Sequence, residues 1–293
     1  MDYAKLIDAE TWAFIRATDA AYPPDAVDLD IAGQRRVYDA MCAVFHRDYP
    51  QRPLDHVIAG VRVRDFAGAA PAVVYLHGGG FVVGGLDSHD DICAEINAAT
   101  GLRVVLVDYR LSPENRHPAA LDDCLAVVRS LGDVVLAGDS AGGNLCAAVA
   151  AQVAVKGQVL IYPGLGGDHD KGSYLSHANA PMLTRADVLF YAGIRHGGEV
   201  PAPDPSVSPL LGPFEGLPPT VAFGAECDPL CDDAEAYAAA VRAAGGRAVS
   251  FTEKGLVHGY LRARHSVTRA RDSFERIKAA IAALAEGHWP YGG

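Results

Sequence analysis

The 293-residue sequence predicts an α/β fold built on a mostly parallel sheet, and three features carry that expectation. Strand-like and helix-like segments alternate from about residue 57 onward, the order that builds parallel sheets flanked by helices. Several strand-like runs are apolar at every position, as in Ala72-Val73-Val74-Tyr75-Leu76, Val104-Val105-Leu106-Val107 and Val159-Leu160-Ile161-Tyr162. Such runs mark strands covered on both faces. Between a strand-like run, 134–138, and a helix-like one, 142–154, stands Gly138-Asp139-Ser140-Ala141-Gly142. It fits G-x-S-x-G, a glycine-pinched turn that lifts a serine above the end of a sheet.

Residues 1–46 read as helical and amphipathic. Leu6, Ile7, Phe14 and Ile15 give an apolar stripe, Tyr22-Pro23-Pro24 breaks it, and a second helix is expected over about 29–45. These helices precede any strand and must pack on something built later. The alternating Val61-Arg62-Val63-Arg64 reads as a half-exposed edge strand. Helices are expected over 87–99 and 118–131, the second with Pro118 in its first turn. The alternation then stops after Pro163. Residues 164–216, rich in Gly, Pro, His and Asp with one helical piece around 185–191, are too long for an ordinary loop and read as an insertion over the sheet's C-terminal edge. Strands resume at Thr220–Phe223 and Ala248–Phe251, separated by an alanine-rich helix over 232–244, and a last helix covers about 265–285.

Composition narrows the function. A net charge of −11 repels phosphate backbones and anionic lipid, so neither nucleic acid nor a membrane is an expected partner, and the remaining candidate is a small molecule. No run is long enough to span a bilayer, and the first ten residues carry acids where a signal peptide carries basic residues, so a cytoplasmic protein is expected. The six cysteines lack the spacing of a disulfide framework. Cys227 and Cys231 have no second pair at ligand spacing, so no metal is expected. The sequence leaves a homodimer open.

A serine hydroxyl needs a base, a group that orients the base, and donors for the oxyanion that forms on attack. His258, in Gly255-Leu256-Val257-His258-Gly259 after the strand at 248–252, is the expected base. Asp228 follows the preceding strand and is held in a turn by Pro229, so it is the expected orienting acid, with Glu226 as the fallback. The chain order Ser140, Asp228, His258 is that of an α/β-hydrolase. Asp139 is given a structural role, since adjacent side chains on a sharp turn diverge. The N–H groups of Gly78 and Gly79, in His77-Gly78-Gly79-Gly80 after a strand, are the expected oxyanion donors, with that of Ala141 as the third. Phe81, Tyr109, Met182, Leu183, Phe190 and Tyr191 are candidates for the substrate pocket, each equally plausible as core.

His77-Gly78-Gly79-Gly80-Phe81, Asp108-Tyr109-Arg110-Leu111-Ser112-Pro113-Glu114, Gly138-Asp139-Ser140-Ala141-Gly142-Gly143-Asn144, Asp228-Pro229-Leu230 and His258-Gly259 occur in one order between about 72 and 260. In this set the chain resembles the hormone-sensitive-lipase-like (family IV) carboxylesterases. The resemblance implies an α/β-hydrolase fold with a mostly parallel central sheet and a helical cap, formed jointly by 1–46 and the insertion 164–216, on a catalytic domain of 47–293. It implies the same three catalytic residues, hydrolysis of short-chain acyl esters through an acyl-enzyme, and no cofactor. Two positions depart from the family pattern: Tyr260 where Phe is usual after His-Gly, and Cys231 where arginine is more usual. The resemblance also extends to amide-cleaving arylformamidases and to non-catalytic hormone receptors. Gly138-Asp139-Ser140 favours the esterases over the former, and the presence of His258 argues against the latter.

Overall fold

The structure, a computed structural model, describes residues 1–23, 25–198 and 202–292, so Pro24 and residues 199–201 of the insertion lie outside the described residues. An eight-stranded sheet organises them, in the order β1-β2-β4-β3-β5-β6-β7-β8. The first two strands, β1 (Leu54–Ile58) and β2 (Val61–Phe66), form a hairpin across Ala59-Gly60, both at positive φ as a two-residue turn requires. The alternation in β2 buries Val61 and Val63 and exposes Arg62, as expected. It is not the edge, however. β2 pairs on its other side with β4 (Leu102–Val107), and β1, whose Leu54 and Val57 are exposed, takes the edge. Leu54-Asp55-His56-Val57-Ile58 has no period-two apolar pattern because neither of its faces is well covered.

The remaining strands, β3 (Ala69–Leu76), β5 (Val134–Asp139), β6 (Gly157–Ile161), β7 (Thr220–Cys227) and β8 (Ala248–Val257), run parallel to β4. Their alternate residues enter two separate cores. Val73, Tyr75, Val104, Leu106 and Val135 pack with α4 (Leu86–Thr100) and α10 (Thr268–Ala285). Val74, Leu76, Val105, Val107 and Leu136 pack with α5 (Ala119–Leu131), α6 (Ala141–Ala150) and α9 (Cys231–Ala243). Burial of each such side chain contributes ~1.5–3 kcal/mol, which is why these strands are apolar throughout. The fold is the α/β-hydrolase fold.

Helices α1 (Tyr3–Leu6), α2 (Ala9–Ala21) and α3 (Ile31–Ala43) cover the N-terminal segment. Asp8 and Asp30 cap α2 and α3, and Phe14 and Ile15 of α2 join the core that holds α10. The insertion contains α7 (Gly172–Ser176) and α8 (Arg185–His196), so the expected helical piece runs five residues further than its sequence pattern indicates. Thr184 and Asp187 close a capping box at the start of α8 and Gly197, at φ 69°, ends it. Among the described residues no helix is long and apolar enough to cross a membrane.

Candidate active site

Strand order brings four chain segments to one end of the sheet. Leu76 pairs with Gly138, so the loops that begin at His77 and Asp139 leave adjacent strands side by side. Ser140 joins β5 to α6 at φ 53°, ψ −116°, a conformation that a non-glycine residue holds only when its surroundings impose it. The surroundings do: the Ser140 N–H donates to Ile161 O on β6 at 2.9 Å, and a Cβ on Gly142 would overlap the Leu76 carbonyl. The glycines of the motif therefore let α6 lie directly on β3.

His258 Nε2 accepts a hydrogen bond from Ser140 Oγ at 2.9 Å, and its Nδ1–H donates to Asp228 Oδ2 at 2.6 Å. Asp228 is fully buried, and its other oxygen accepts the Leu230 N–H at 2.9 Å. Tyr162 sets its ring edge against the imidazole, 4.9 Å between centroids. Glu226, the fallback acid, is occupied elsewhere. It accepts from Lys254 Nζ and from the Gly255 N–H, both at 2.8 Å. That second bond explains a difference from expectation. Instead of ending near 252 and leaving a loop, β8 continues to Val257: Ala225 pairs with Glu253 but Cys227 with Val257. Two steps along β7 thus match four along β8, a bulge that Gly255 permits at φ 68° and that aims His258 at the serine.

The glycine loop departs from expectation at one position. The Gly78 N–H donates to Asp139 Oδ1 at 3.0 Å and faces away from the serine. Asp139 is buried beneath the elbow and needs donors. Tyr75 Oη at 2.9 Å, Tyr162 Oη at 3.3 Å and His89 Nε2 at 3.4 Å supply the rest. Burial works to raise its pKa, but the His89 imidazole, the Tyr75 hydroxyl and the Arg262 charge outweigh it and hold the carboxyl at about 2. Gly79 and Gly80, at φ 124° and 59°, line the space over Ser140. The N–H groups of Gly79, Gly80 and Ala141 form no hydrogen bond among the described residues. His77 is fully buried, and burial, reinforced by His89, pushes its pKa down to about 3, so it stays neutral and donates from Nδ1 to Gly78 O at 2.8 Å.

Above Ser140 lies a cavity of about 750 Å³. Its walls come from the glycine loop, from Thr18 of α2 and Tyr22 just after it, from Tyr38 and Met41 of α3, and from the insertion (Met182, Leu183, Tyr191). Of the six pocket candidates, Phe81, Met182, Leu183 and Tyr191 line this cavity. Tyr109 and Phe190 do not. Tyr109 is buried under the glycine loop, stacked on His77 at 4.2 Å, with its hydroxyl on His77 O at 2.6 Å. Phe190 is 40% exposed, because consecutive residues of α8 point about 100° apart and Tyr191 takes the inner face. Two arginines in the wall, Arg195 and Arg262, had no sequence signal, nor did His89 beneath Asp139. Elsewhere, His46, Asp90 and Asp91 approach metal-ligand spacing, but Arg64 already pairs with Asp90 at 3.2 Å and Arg264 with Asp91 at 2.5 Å.

An arrangement of this kind can take a proton from a hydroxyl and hold a developing oxyanion, which is the chemistry of acyl transfer. Comparison with known proteins agrees. Residues 73–262 match the Abhydrolase_3 family, described as alpha/beta hydrolase fold. Carboxylesterase NlhH of Mycobacterium tuberculosis is 37% identical over 235 residues, covering 72% of this chain and 73% of that protein. The ethyl acetate hydrolase of Pseudomonas putida is 33% identical over 238 residues, covering 74% of each. Among solved structures, the hyperthermophilic esterase of the archaeon Pyrobaculum calidifontis superposes with a TM-score of 0.85 at 30% identity, over 96% of this chain and 99% of that one.

Proposed function

The chain belongs to the hormone-sensitive-lipase-like carboxylesterases of the α/β-hydrolase fold and is a carboxylic ester hydrolase; from that premise we propose that it cleaves short-chain acyl esters with Ser140 as nucleophile, His258 as base and Asp228 as the group that orients the base. The observation that carries the assignment is the continuous hydrogen-bond chain Ser140–His258–Asp228, at 2.9 and 2.6 Å. Ser140 Oγ attacks the ester carbonyl carbon while its proton passes to His258 Nε2. Asp228 keeps the other ring proton on Nδ1 and stabilises the imidazolium. The oxyanion lies against the N–H groups of Gly79, Gly80 and Ala141, which replaces the expected Gly78 by Gly80, since the Gly78 N–H is spent on Asp139. His258 then returns its proton to the leaving alcohol. Water, deprotonated by the same imidazole, attacks the acyl-enzyme and releases the acid.

Residues 1–46 and 164–216 are read as the two parts of a cap, on the support of Tyr22, Met41 and Tyr191 in the cavity wall. A preference for short acyl groups is supported by the name of the Pseudomonas relative, an ethyl acetate hydrolase. The test is Ser140→Ala assayed on p-nitrophenyl acetate and butyrate. Hydrolysis should fall to background while the circular-dichroism spectrum is unchanged. Full activity in a folded Ser140→Ala would refute the assignment.

A further inference from the structure

The cavity wall carries two guanidinium groups, and among the described residues neither has a carboxylate ion-pair partner. Arg195 is occupied by neutral groups. Its guanidinium lies 3.6 Å over the Phe81 ring and reaches His117 Nδ1 at 3.4 Å and Asn144 Oδ1 at 3.5 Å, which ties α8 to the glycine loop and to α6.

Arg262 is far less satisfied. It sits in the 3₁₀ turn Tyr260–Ala263, four residues after His258. Its Nη1 donates to the Tyr38 hydroxyl on α3 at 3.3 Å, and its Nε has no partner. Nη2 lies over Gly259, where any Cβ would overlap it, so the glycine after His258 makes room for this cation. The groups around it are uncharged at neutral pH: burial pushes the phenols of Tyr38 and Tyr162 well up and the Cys42 thiol to about 11. Asp139 is the nearest acid in effect, but its oxygens are taken by Tyr75, Gly78, Tyr162 and His89. Arg264, two residues on and also buried, shows the usual solution, with Asp91 at 2.5 Å and Glu95 at 2.8 Å. A guanidinium held in a cavity wall with no carboxylate in ion-pair contact is poorly compensated in the empty protein and gains when a ligand brings one.

We propose that Arg262 receives a free carboxylate on the substrate, so that this site takes esters that carry one negative charge, such as half-esters of dicarboxylic acids. The inference rests on the ester-hydrolase reading of Ser140. A half-ester and water would give the dicarboxylate, the alcohol and one proton. The Tyr38 hydroxyl takes one guanidinium N–H and leaves the other hydrogens of the group for the carboxylate. One guanidinium in a molecule of net charge −11 suits a singly charged carboxylate better than a phosphate dianion.

The experiment compares kcat/KM within two matched pairs: monoethyl adipate against ethyl hexanoate, with the charge on the acyl side, and 4-acetoxybutyrate against butyl acetate, with the charge on the alcohol side. In at least one pair the charged ester should lead by tenfold or more. Arg262→Gln should lower that ratio at least tenfold, and Arg262→Lys should retain most of it. A ratio on one preparation is unaffected by misfolded protein. A ratio of one or less in both pairs, or a ratio unchanged by Arg262→Gln, overturns the proposal. Calorimetric binding of the favoured charged ester, or of monoethyl adipate and 4-acetoxybutyrate if nothing turns over, to Ser140→Ala separates this inference from the ester reading. Binding weakened tenfold by Arg262→Gln, with no turnover of any ester by the unaltered protein, sinks the ester reading and keeps the carboxylate site; equal binding with and without Arg262 sinks the site.

Discussion

Asp139 is adjacent to Ser140 in sequence and opposite to it in direction. Its carboxylate gathers Tyr75 from β3, Gly78 from the glycine loop, His89 from α4 and Tyr162 after β6 beneath the elbow. The divergence of neighbouring side chains on a sharp turn made a structural role legible in the sequence. The identity of its partners was not, because they come from four separated positions and none follows a periodic pattern. The cost of that gap was the oxyanion assignment at Gly78, where the sequence could count glycines but could not tell whose N–H was already spent. The carboxyl, held at about 2 against about 3.9 in an unfolded chain, stabilises the fold fully above pH ~4, and the contribution is lost as pH falls from there toward 2. Asp139→Asn is therefore expected to destabilise the protein by about 2 kcal/mol at pH 7, with the gap narrowing steadily below pH 4. Urea unfolding of both proteins at pH 7, 5 and 3 checks this; a gap that is independent of pH contradicts it.

The elements that carry the site depend on a few backbone irregularities. β8 reaches His258 only through the bulge at Gly255, fastened by Glu226 from β7. The sequence shows a glycine and a histidine in order but reads as a loop, since a bulge is recognised by its partner strand and the partner, Glu226, is 29 residues away. Gly80 shows the same dependence between elements. A Cβ there would stand 2.6 Å from the Tyr191 ring carbon Cγ, so the glycine loop and α8 are fitted to each other. Gly80→Ala is expected to lower kcat/KM on p-nitrophenyl butyrate by 10-fold or more, toward the ~10²–10³ typical of a lost oxyanion donor. Tyr191→Ala in the same chain should recover part of the loss, because it removes the atoms that the new methyl meets. Absence of recovery in that double mutant would mean that the strain lies in the backbone of residue 80 and not in its contact with α8.

At the scale of the whole molecule, the cavity is assembled from α2 and α3, from the loops of β3 and β5, and from α8, so its walls span residues 18 to 262. If these segments act as the proposed cap, they set acyl-chain length. A p-nitrophenyl ester series from acetate to laurate should peak at about six carbons or fewer, and an optimum at laurate would overturn the short-chain reading. The α/β architecture is legible in one dimension, and so are the grounds on which Ser140, Asp228 and His258 are proposed. Each rests on a local pattern (apolar runs, a pinched turn, a polar residue just past a strand) whose physical cause lies within a few residues of itself. That the Gly78 N–H is spent on Asp139, that Tyr109 is core and Phe190 surface, and that Arg262 lines the same cavity as His258 with no ion-pair partner among the described residues were decided only by the folded chain. Those properties depend on which groups meet across the sheet and under the helices above it, and hydrogen-bond satisfaction and charge pairing are settled by such meetings, not by sequence neighbours.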